Sequence, residues 1–422
     1  MDINTFLHIV IGFIGLVCLA IPFSNDIKKI NIKHIIYGIL FQLVLAFLLL
    51  EIPFITAAFN YLADGVSVLQ TATSEGTKFV FGYLGIVDPN NGLIFAFVIL
   101  PFIIVMSSIT AILWHWGILP LIVKGFSSIC QRLFNIGGPI GLGGAANVFV
   151  GQVEAPLLIR PYLNKLTNKE LLILMTAGMA TVAGSIMVAL VTLLEGQFDE
   201  STRLIQHFLT ASILSVPAAI IYSNIMIPSN DVTDFDSDKA PKIYESTMDA
   251  ITRGTSDGLN IAMNVGAILI AFIALVYIVD AFLGFIPNPF GDQQLSLQIL
   301  LGYLFAPIAW LMGIPWQEAI VAGELLGVKT ALNEFVAYIS LANLEDGLLS
   351  ERSKLITLYG LCGFANFSSI GILVSGISAM APERKNDLIK VSFKALTVSY
   401  THLRAHETPE HRGWRGVGEK KK

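Results

Sequence analysis

Two carboxylates sit in apolar frames. Glu154 stands in GQVEAP and Glu334 in LNEFVAY. Each has polar company nearby: Asn147 and Gln152 precede the first, Asn333 flanks the second, and Asn366, Ser368 and Ser369 follow in FANFSS. A carboxylate at bilayer depth costs about 2.5–3.5 kcal/mol even on insertion scales. A helix-packing hydrogen bond accounts for one such residue. A matched pair is a heavy structural burden, and it marks a site by its chemistry.

The elements that must position these groups are unusual. Residues 137–162, GGPIGLGGAANVFVGQVEAPLLIRPY, are apolar yet broken by six glycines and by Pro139, Pro156 and Pro161. In lipid every freed backbone amide and carbonyl needs a partner, so a plain spanning helix does not tolerate that punctuation. The reading that remains is a re-entrant or unwound segment held inside protein and lining a polar cavity. The glycines are not a phosphate loop, because no Gly-Lys-Ser/Thr follows and no strand precedes them. A second unit of this kind covers 323–338, GELLGVKTALNEFVAY.

Composition agrees with a membrane setting. The chain has 422 residues, 54% hydrophobic and 14% charged, with mean hydropathy +0.71. Soluble domains run at about 25% charged. The net charge of −5 is spread over loops and implies no nucleic-acid partner. Cys18, Cys130 and Cys362 lie singly in apolar segments, which excludes a disulfide framework and a CxxC site.

Along the chain, the first membrane helix is expected over about 6–23, with no basic leader or cleavage site before it. Lys28, Lys29 and Lys33 follow, which puts that loop in the cytoplasm and the N-terminus outside. A second helix is expected over 35–55, an amphipathic interfacial helix over 56–85, a turn at 88–92 and a third helix to about Trp116. Residues 171–194 and 355–380 read as small-residue helices with hydroxyls in their middles, Thr181 and Ser185 in one, Ser368 and Ser369 in the other. A helix is expected over 204–227, then an acidic linker to 242. Residues 244–285 are too long for one simple span: a polar first half, then a spanning second half. The last helix begins near Leu388. From 399 onward the chain is polar, holds three of its seven histidines, and is similar to translated adapter sequence. That tail is set aside from the fold, on the expectation that the natural end of the last helix is missing.

Each half therefore carries a broken apolar unit with a buried Glu, followed by a small-residue helix. Paired broken segments at corresponding positions point to a secondary transporter. An enzyme using two carboxylates as acid and base, such as a glycosidase, lacks any supporting His or metal cluster. A channel could not accumulate solute uphill. Asn147 and the Thr181 hydroxyl are hard oxygen donors that an alkali cation could share with carbonyls freed at a helix break.

GQVEAPLLIRPY, ATVAGS, GELLGVKTALNEFVAY and CGFANFSS resemble the signature segments of the concentrative nucleoside transporter family, from the first helix to Val398. The resemblance implies an all-α polytopic protein of about eight transmembrane helices, with two opposed re-entrant hairpins in an inverted repeat. It implies scaffold helices and an interfacial helix over 1–117, and the first half of a transport domain with hairpin 1 over 118–228. A linker and long scaffold helix follow over 229–290, the second half of the transport domain with hairpin 2 over 291–398, and the foreign-looking tail over 399–422. It further implies a homotrimer in the inner membrane whose transport domains move like elevators. Gln152 and Glu154 then match the positions that bind the nucleobase, Phe364 the aromatic beside it, and Glu334, Asn366 and Ser369 the ribose ligands. Gly151, Val153 and Ile186 join the substrate site. Sodium would be held by the Asn147 and Thr181 side chains with the Val150 and Val182 carbonyls. Val153 stands where many members have Thr, which bears on base selectivity. Thr181 keeps the oxygen that some relatives supply from Ser, which favours sodium over the alternative, proton coupling. No organic cofactor is implied.

Overall fold

The computed structural model describes residues 3–85, 94–134, 136–194, 196–198, 203–229, 231–233, 243–289 and 294–401. The expected turn at 88–92, most of the acidic linker and the tail from 402 onward lie outside them. Among the described residues all regular structure is helical. The chain runs through α1 (Ile3–Ala20), α2 (Ile32–Glu51), α3 (Pro53–Phe81), α4 (Phe95–Val98), α5 (Leu100–His115) and α6 (Ile118–Phe134). Two short helices, α7 (Gly138–Ala146) and α8 (Glu154–Leu158), come next. They are followed by α9 (Asn168–Ala180), α10 (Gly184–Leu194), α11 (Leu204–Met226) and α12 (Thr247–Leu283). The remainder is α13 (Leu297–Leu311), α14 (Trp316–Ala331), α15 (Glu334–Ala342), α16 (Glu351–Leu361), α17 (Phe367–Met380) and α18 (Lys385–Thr401).

Among the described residues four helices are long and apolar enough to cross a membrane: α2, the run Phe95–His115, α11 and α12. The pair α13 and α14, bent by 118°, makes a fifth if it is counted as one broken span or re-entrant loop. This is fewer than the eight expected. The shortfall lies partly in helices that stop in mid-course. Residues 171–194 are not one helix but α9 and α10, separated at Thr181–Ala183, and 355–380 are α16 and α17, separated at 362–366. Neither half of either pair is long enough to span alone.

Two other expectations change. The segment expected over 56–85 forms one long helix only as far as Phe81, followed by a 3-10 turn over Gly82–Gly85, and the helix starts at Pro53, a residue suited to a first helical turn. The 244–285 segment is not divided. α12 is a single helix of 37 residues, about 55 Å at 1.5 Å per residue. It begins at Ser246, whose side chain accepts from the Asp249 amide at 3.1 Å, and it packs along α5. A Cβ on Gly258 would lie 2.6 Å from Ile104 Cα, so the glycine lets the two backbones meet.

The interior is divided between two apolar clusters. One gathers α10, α14, α15 and α16 around Leu326, Phe335, Tyr338 and Leu358. The other gathers α7, α9, α11 and α18 around Ile140, Leu172, Ile221 and Leu388. Phe364 and Ala183 belong to the first and Leu373 to the second. The helix breaks lie where the clusters adjoin.

Ends near one another in space carry the basic residues. Asn25, beside Lys28 and Lys29, donates its backbone amide to the Met226 carbonyl at 2.9 Å. The Lys169 ammonium donates to the Ser229 carbonyl at 2.5 Å, and Trp116 Nε1 donates to Thr247 Oγ1 at 3.3 Å. The loop after α1, the start of α9 and the end of α11 thus lie together at the basic end of the molecule, and the end of α5 lies against the start of α12.

Candidate functional site

A helix broken in an apolar interior must find new partners for the backbone groups it releases. Here each break has them. At Thr181–Ala183 the Val182 amide donates to Ser212 Oγ of α11 at 3.1 Å, and the Gly184 amide donates to the Phe149 carbonyl at 3.3 Å. At 362–366 the fully buried Lys329 donates through Nζ to the carbonyls of Gly360 at 3.0 Å and Cys362 at 3.4 Å. An ammonium at a helix C-terminus is also favoured by the helix dipole. The new start of α17 is capped by Asn366, whose Oδ1 accepts from the Ser369 amide at 2.8 Å. α15 starts the same way, with Asn333 Oδ1 accepting from the Val336 amide at 2.9 Å.

The two breaks touch. Gly363 has φ +100, in a region that favours glycine. A Cβ there would lie 2.7 Å from both Ala180 C and Met179 O, at the end of α9. The chain turns at Gly363 because no larger residue fits between the two interrupted helices.

Around this junction lies a cavity of about 310 Å³. Its wall includes Gly151, Gln152, Val153, Glu154, Ile186, Glu334, Phe364, Asn366 and Ser369. All nine residues assigned to the substrate site from the sequence therefore meet at one cavity, although 218 positions separate Gly151 from Ser369. Glu334 is 6% exposed and Asn366 1%. Asn366 Nδ2 donates to Glu334 Oε2 at 2.9 Å, and Ser368 Oγ donates to Asn366 Oδ1 at 2.7 Å. One carboxylate oxygen is thus engaged by an amide, while the group keeps acceptor capacity toward the cavity. Gln152 Oε1 is buried without a hydrogen-bond partner. Sequence reasoning missed the contribution of α12, which adds Ile261, Asn264 and Val265. Asn264, a lone amide in the apolar run AMNVGAI, was the available signal.

Of the four residues assigned to the cation, Thr181 and Val182 form the α9–α10 break, and Asn147 and Val150 lie between α7 and α8. Asn147 is 1% exposed and Thr181 2%. Asn147 Nδ2 donates to the Gly143 carbonyl at 3.1 Å, which turns Oδ1 away from its own helix, and that buried oxygen has no hydrogen-bond partner. Thr181 Oγ1 donates to the Ala177 carbonyl at 2.9 Å, so its lone pairs remain acceptors. A Cβ on Gly178 would lie 3.6 Å from Asn147 Oδ1 and 3.2 Å from Gln152 Cβ, which places the tip of the α7–α8 hairpin against α9. Val150 follows Phe149, whose carbonyl accepts from the Gly184 amide, and Val182 follows Thr181 in the break. The donor set is all oxygen and uncharged, and it fits a monovalent hard cation better than a transition metal. Among the described residues no group of three His, Cys, Asp or Glu could hold a metal.

Lys329 was not singled out in the sequence, although a lysine five residues before Glu334 in an apolar frame is a signal. Replacing it by Met is expected to leave two buried carbonyls unpaired, at about 1–3 kcal/mol each. Thermal unfolding in detergent should show a lower midpoint for Lys329→Met. An unchanged midpoint would mean that the break does not depend on the ammonium.

Comparison with known proteins gives this arrangement a family. Residues 11–84 match the model of the Na+ dependent nucleoside transporter N-terminus, 207–402 that of its C-terminus, and 96–196 a nucleoside recognition gate. The chain is 33% identical to the nucleoside permease NupC of Helicobacter pylori over 400 residues, covering 92% of this chain and 93% of that protein. It is 32% identical to sodium/nucleoside cotransporter 1 of Mus musculus, covering 88% of this chain and 58% of that longer protein. Among solved structures it is similar to CNTnw in an inward-facing substrate-bound state, with TM-score 0.85, 33% identity and coverage of 95% and 97% of the two chains. It is also similar to a double variant of CNTnw in an outward-facing state, with TM-score 0.88, 32% identity and coverage of 99% and 100%. This chain belongs to the concentrative, Na+-dependent nucleoside transporter family, whose members are membrane transporters and not enzymes.

Proposed function

We propose that the protein is a sodium-coupled symporter that carries nucleosides into the cell across the inner membrane. The observation that carries the reading is the meeting of Glu334, Asn366 and Ser369 with Gln152 and Glu154 at one cavity, beside the unpartnered Asn147 oxygen. In this reading Glu334, Asn366 and Ser369 take the ribose hydroxyls, because a carboxylate with an amide and a hydroxyl can satisfy a vicinal diol. Gln152 and Glu154 take the base edge, the Phe364 ring lies against the base, and Gly151, Val153 and Ile186 close the apolar wall. Asn147 and Thr181 hold sodium with the carbonyls of Val150 and Val182.

Coupling follows from the shared hairpin tip. Sodium at Asn147 orders the segment that also carries Gln152 and Glu154, so the ion raises nucleoside affinity and the nucleoside raises ion affinity by the same factor. Alternating access is the movement of a transport domain, 118–228 with 291–398, against a scaffold of 1–117 and 229–290. The protein works as a homotrimer, with its N-terminus outside and its basic end in the cytoplasm.

The test is radiolabelled uridine uptake into proteoliposomes, with an inward sodium gradient compared with choline at constant pH. Accumulation above equilibrium with sodium and none with choline is the expected result. Accumulation driven by an inward proton gradient instead would keep the nucleoside site and overturn the sodium site.

A further inference from the structure

A second cavity, of about 180 Å³, adjoins the first. Gly151 and Glu154 line both. Its other walls come from α5 (Ser107, Thr110, Trp114), from the short segment before α12 (Tyr244), and from α12 itself (Arg253, Asp257). None of these residues belongs to the sites assigned above.

Four observations bear on its use. First, α12 presents one continuous face to both cavities. Ile261 and Asn264 line the first, Arg253 and Asp257 the second. The steps 253, 257, 261 and 264 follow the i, i+4 and i+3 spacing of one helix face, and they cover about 16 Å at 1.5 Å per residue. Second, α12 is packed tightly on α5 beside that face, where a Cβ on Gly258 would lie 2.6 Å from Ile104 Cα. The opposing wall is the hairpin tip between α7 and α8. Third, the chemistry of the first cavity recurs: aromatic rings from Trp114 and Tyr244, hydroxyls from Ser107 and Thr110, and a carboxylate from Asp257. Arg253 is held in place by Asp249, with Nε and Oδ1 2.8 Å apart. Burial, then the neighbouring Asp257 and Glu154 carboxylates, push the Tyr244 phenol up to about 12, so it remains a neutral donor. Fourth, the second cavity reaches toward the basic end of the molecule: Leu158 lines it, two residues before the Arg160–Lys165 turn that leads into α9.

We propose that the second cavity is a transit subsite for the nucleoside, occupied between the first cavity and the basic end of the molecule. The solute passes over Gly151, and the Glu154 side chain is the threshold shared by the two stations. The rings of Trp114 and Tyr244 receive the base, and the Asp257 carboxylate takes ribose hydroxyls released by Glu334. This rests on the nucleoside reading above and adds a second station, with its own residues, on the scaffold side.

The experiment compares wild type with Asp257→Asn and Trp114→Ala, using zero-trans uridine uptake into inside-out membrane vesicles with equal sodium on both sides. A thermal-shift titration with uridine in detergent measures binding at the first cavity. Both variants are expected to raise the KM for uridine at the cytoplasmic face fivefold or more, with the detergent Kd within twofold of wild type. A KM within twofold of wild type in both variants would overturn the transit subsite. An equal change in KM and Kd would also overturn it, because the residues would then act on the first cavity. The unliganded melting midpoint of each variant identifies loss of fold. If a variant's midpoint falls, Asp257→Ser and Trp114→Leu, which also lack the carboxylate and the ring, replace it under the same criteria. Wild-type vesicles that take up no uridine would instead refute the nucleoside reading itself.

Discussion

Replacing Glu334 by Gln is expected to abolish nucleoside uptake. Glu334 is buried at the first turn of α15, and its Oε2 accepts from Asn366 at 2.9 Å. That position is fixed twice over, by the Asn333 cap that starts α15 and by the Asn366 cap that starts α17. The glutamine keeps the shape and one acceptor oxygen, which Asn366 can still use. It loses the charge and the second acceptor that a diol requires. Hydrogen bonds to charged groups contribute about 1.5–3 kcal/mol each. Losing two removes about 3 kcal/mol or more, over a hundredfold in affinity. Uridine titration by thermal shift should show that loss alongside absent uptake, with the unliganded melting midpoint little changed. Near-normal transport by Glu334→Gln would sink the ribose assignment.

The second large effect is expected at the ion. Asn147→Ala removes a buried oxygen that makes no hydrogen bond, together with one hydrogen bond from Nδ2 to the Gly143 carbonyl, about 0.5–1.5 kcal/mol of stability. The substitution should raise the sodium concentration for half-maximal uptake at least tenfold, equivalent to about 1.4 kcal/mol. Because ion and nucleoside affinities are linked, uridine affinity at low sodium should fall as well, and high sodium should restore part of it. Uptake over a sodium series at fixed uridine gives the first number, and a uridine series at low and at high sodium gives the second. A variant with wild-type sodium dependence would move the ion elsewhere. A general loss of uptake that no sodium concentration relieves would assign Asn147 to the fold instead.

In the proposed reading the two effects also meet at the junction of the broken helices. Gly363 presses onto the end of α9. Ser212 accepts from Val182 on the ion side. Lys329 holds the end of α16 on the nucleoside side. The close approach at Gly363 leaves no space between the two breaks. In the proposed reading this contact joins the α7–α8 segment in linking the ion to the nucleoside.

Much of the site was legible in the residues themselves. Glycine and proline punctuation in 137–162, and a carboxylate in each apolar unit, are local signals with a local cause: the backbone cannot continue as a helix, and the charge needs a partner. Together with the family's segments they led to nine of the residues that line the cavity. What the amino-acid order did not disclose was where the neighbouring helices stop. Residues 171–194 and 355–380 contain no proline and are rich in helix-compatible apolar residues. Nothing local forbids an unbroken helix there. The interruptions at Thr181 and Cys362 persist because distant groups, Ser212 and Lys329, take up the freed backbone, and those partners are contributed by α11 and α14. The opposite error arose at α12, where a change from polar to apolar composition suggested two pieces. Close contact with α5 carries one helix through that change and gives its polar face to the cavities. Local chemistry thus determined which residues could bind, and tertiary contacts decided which helices open to let them meet.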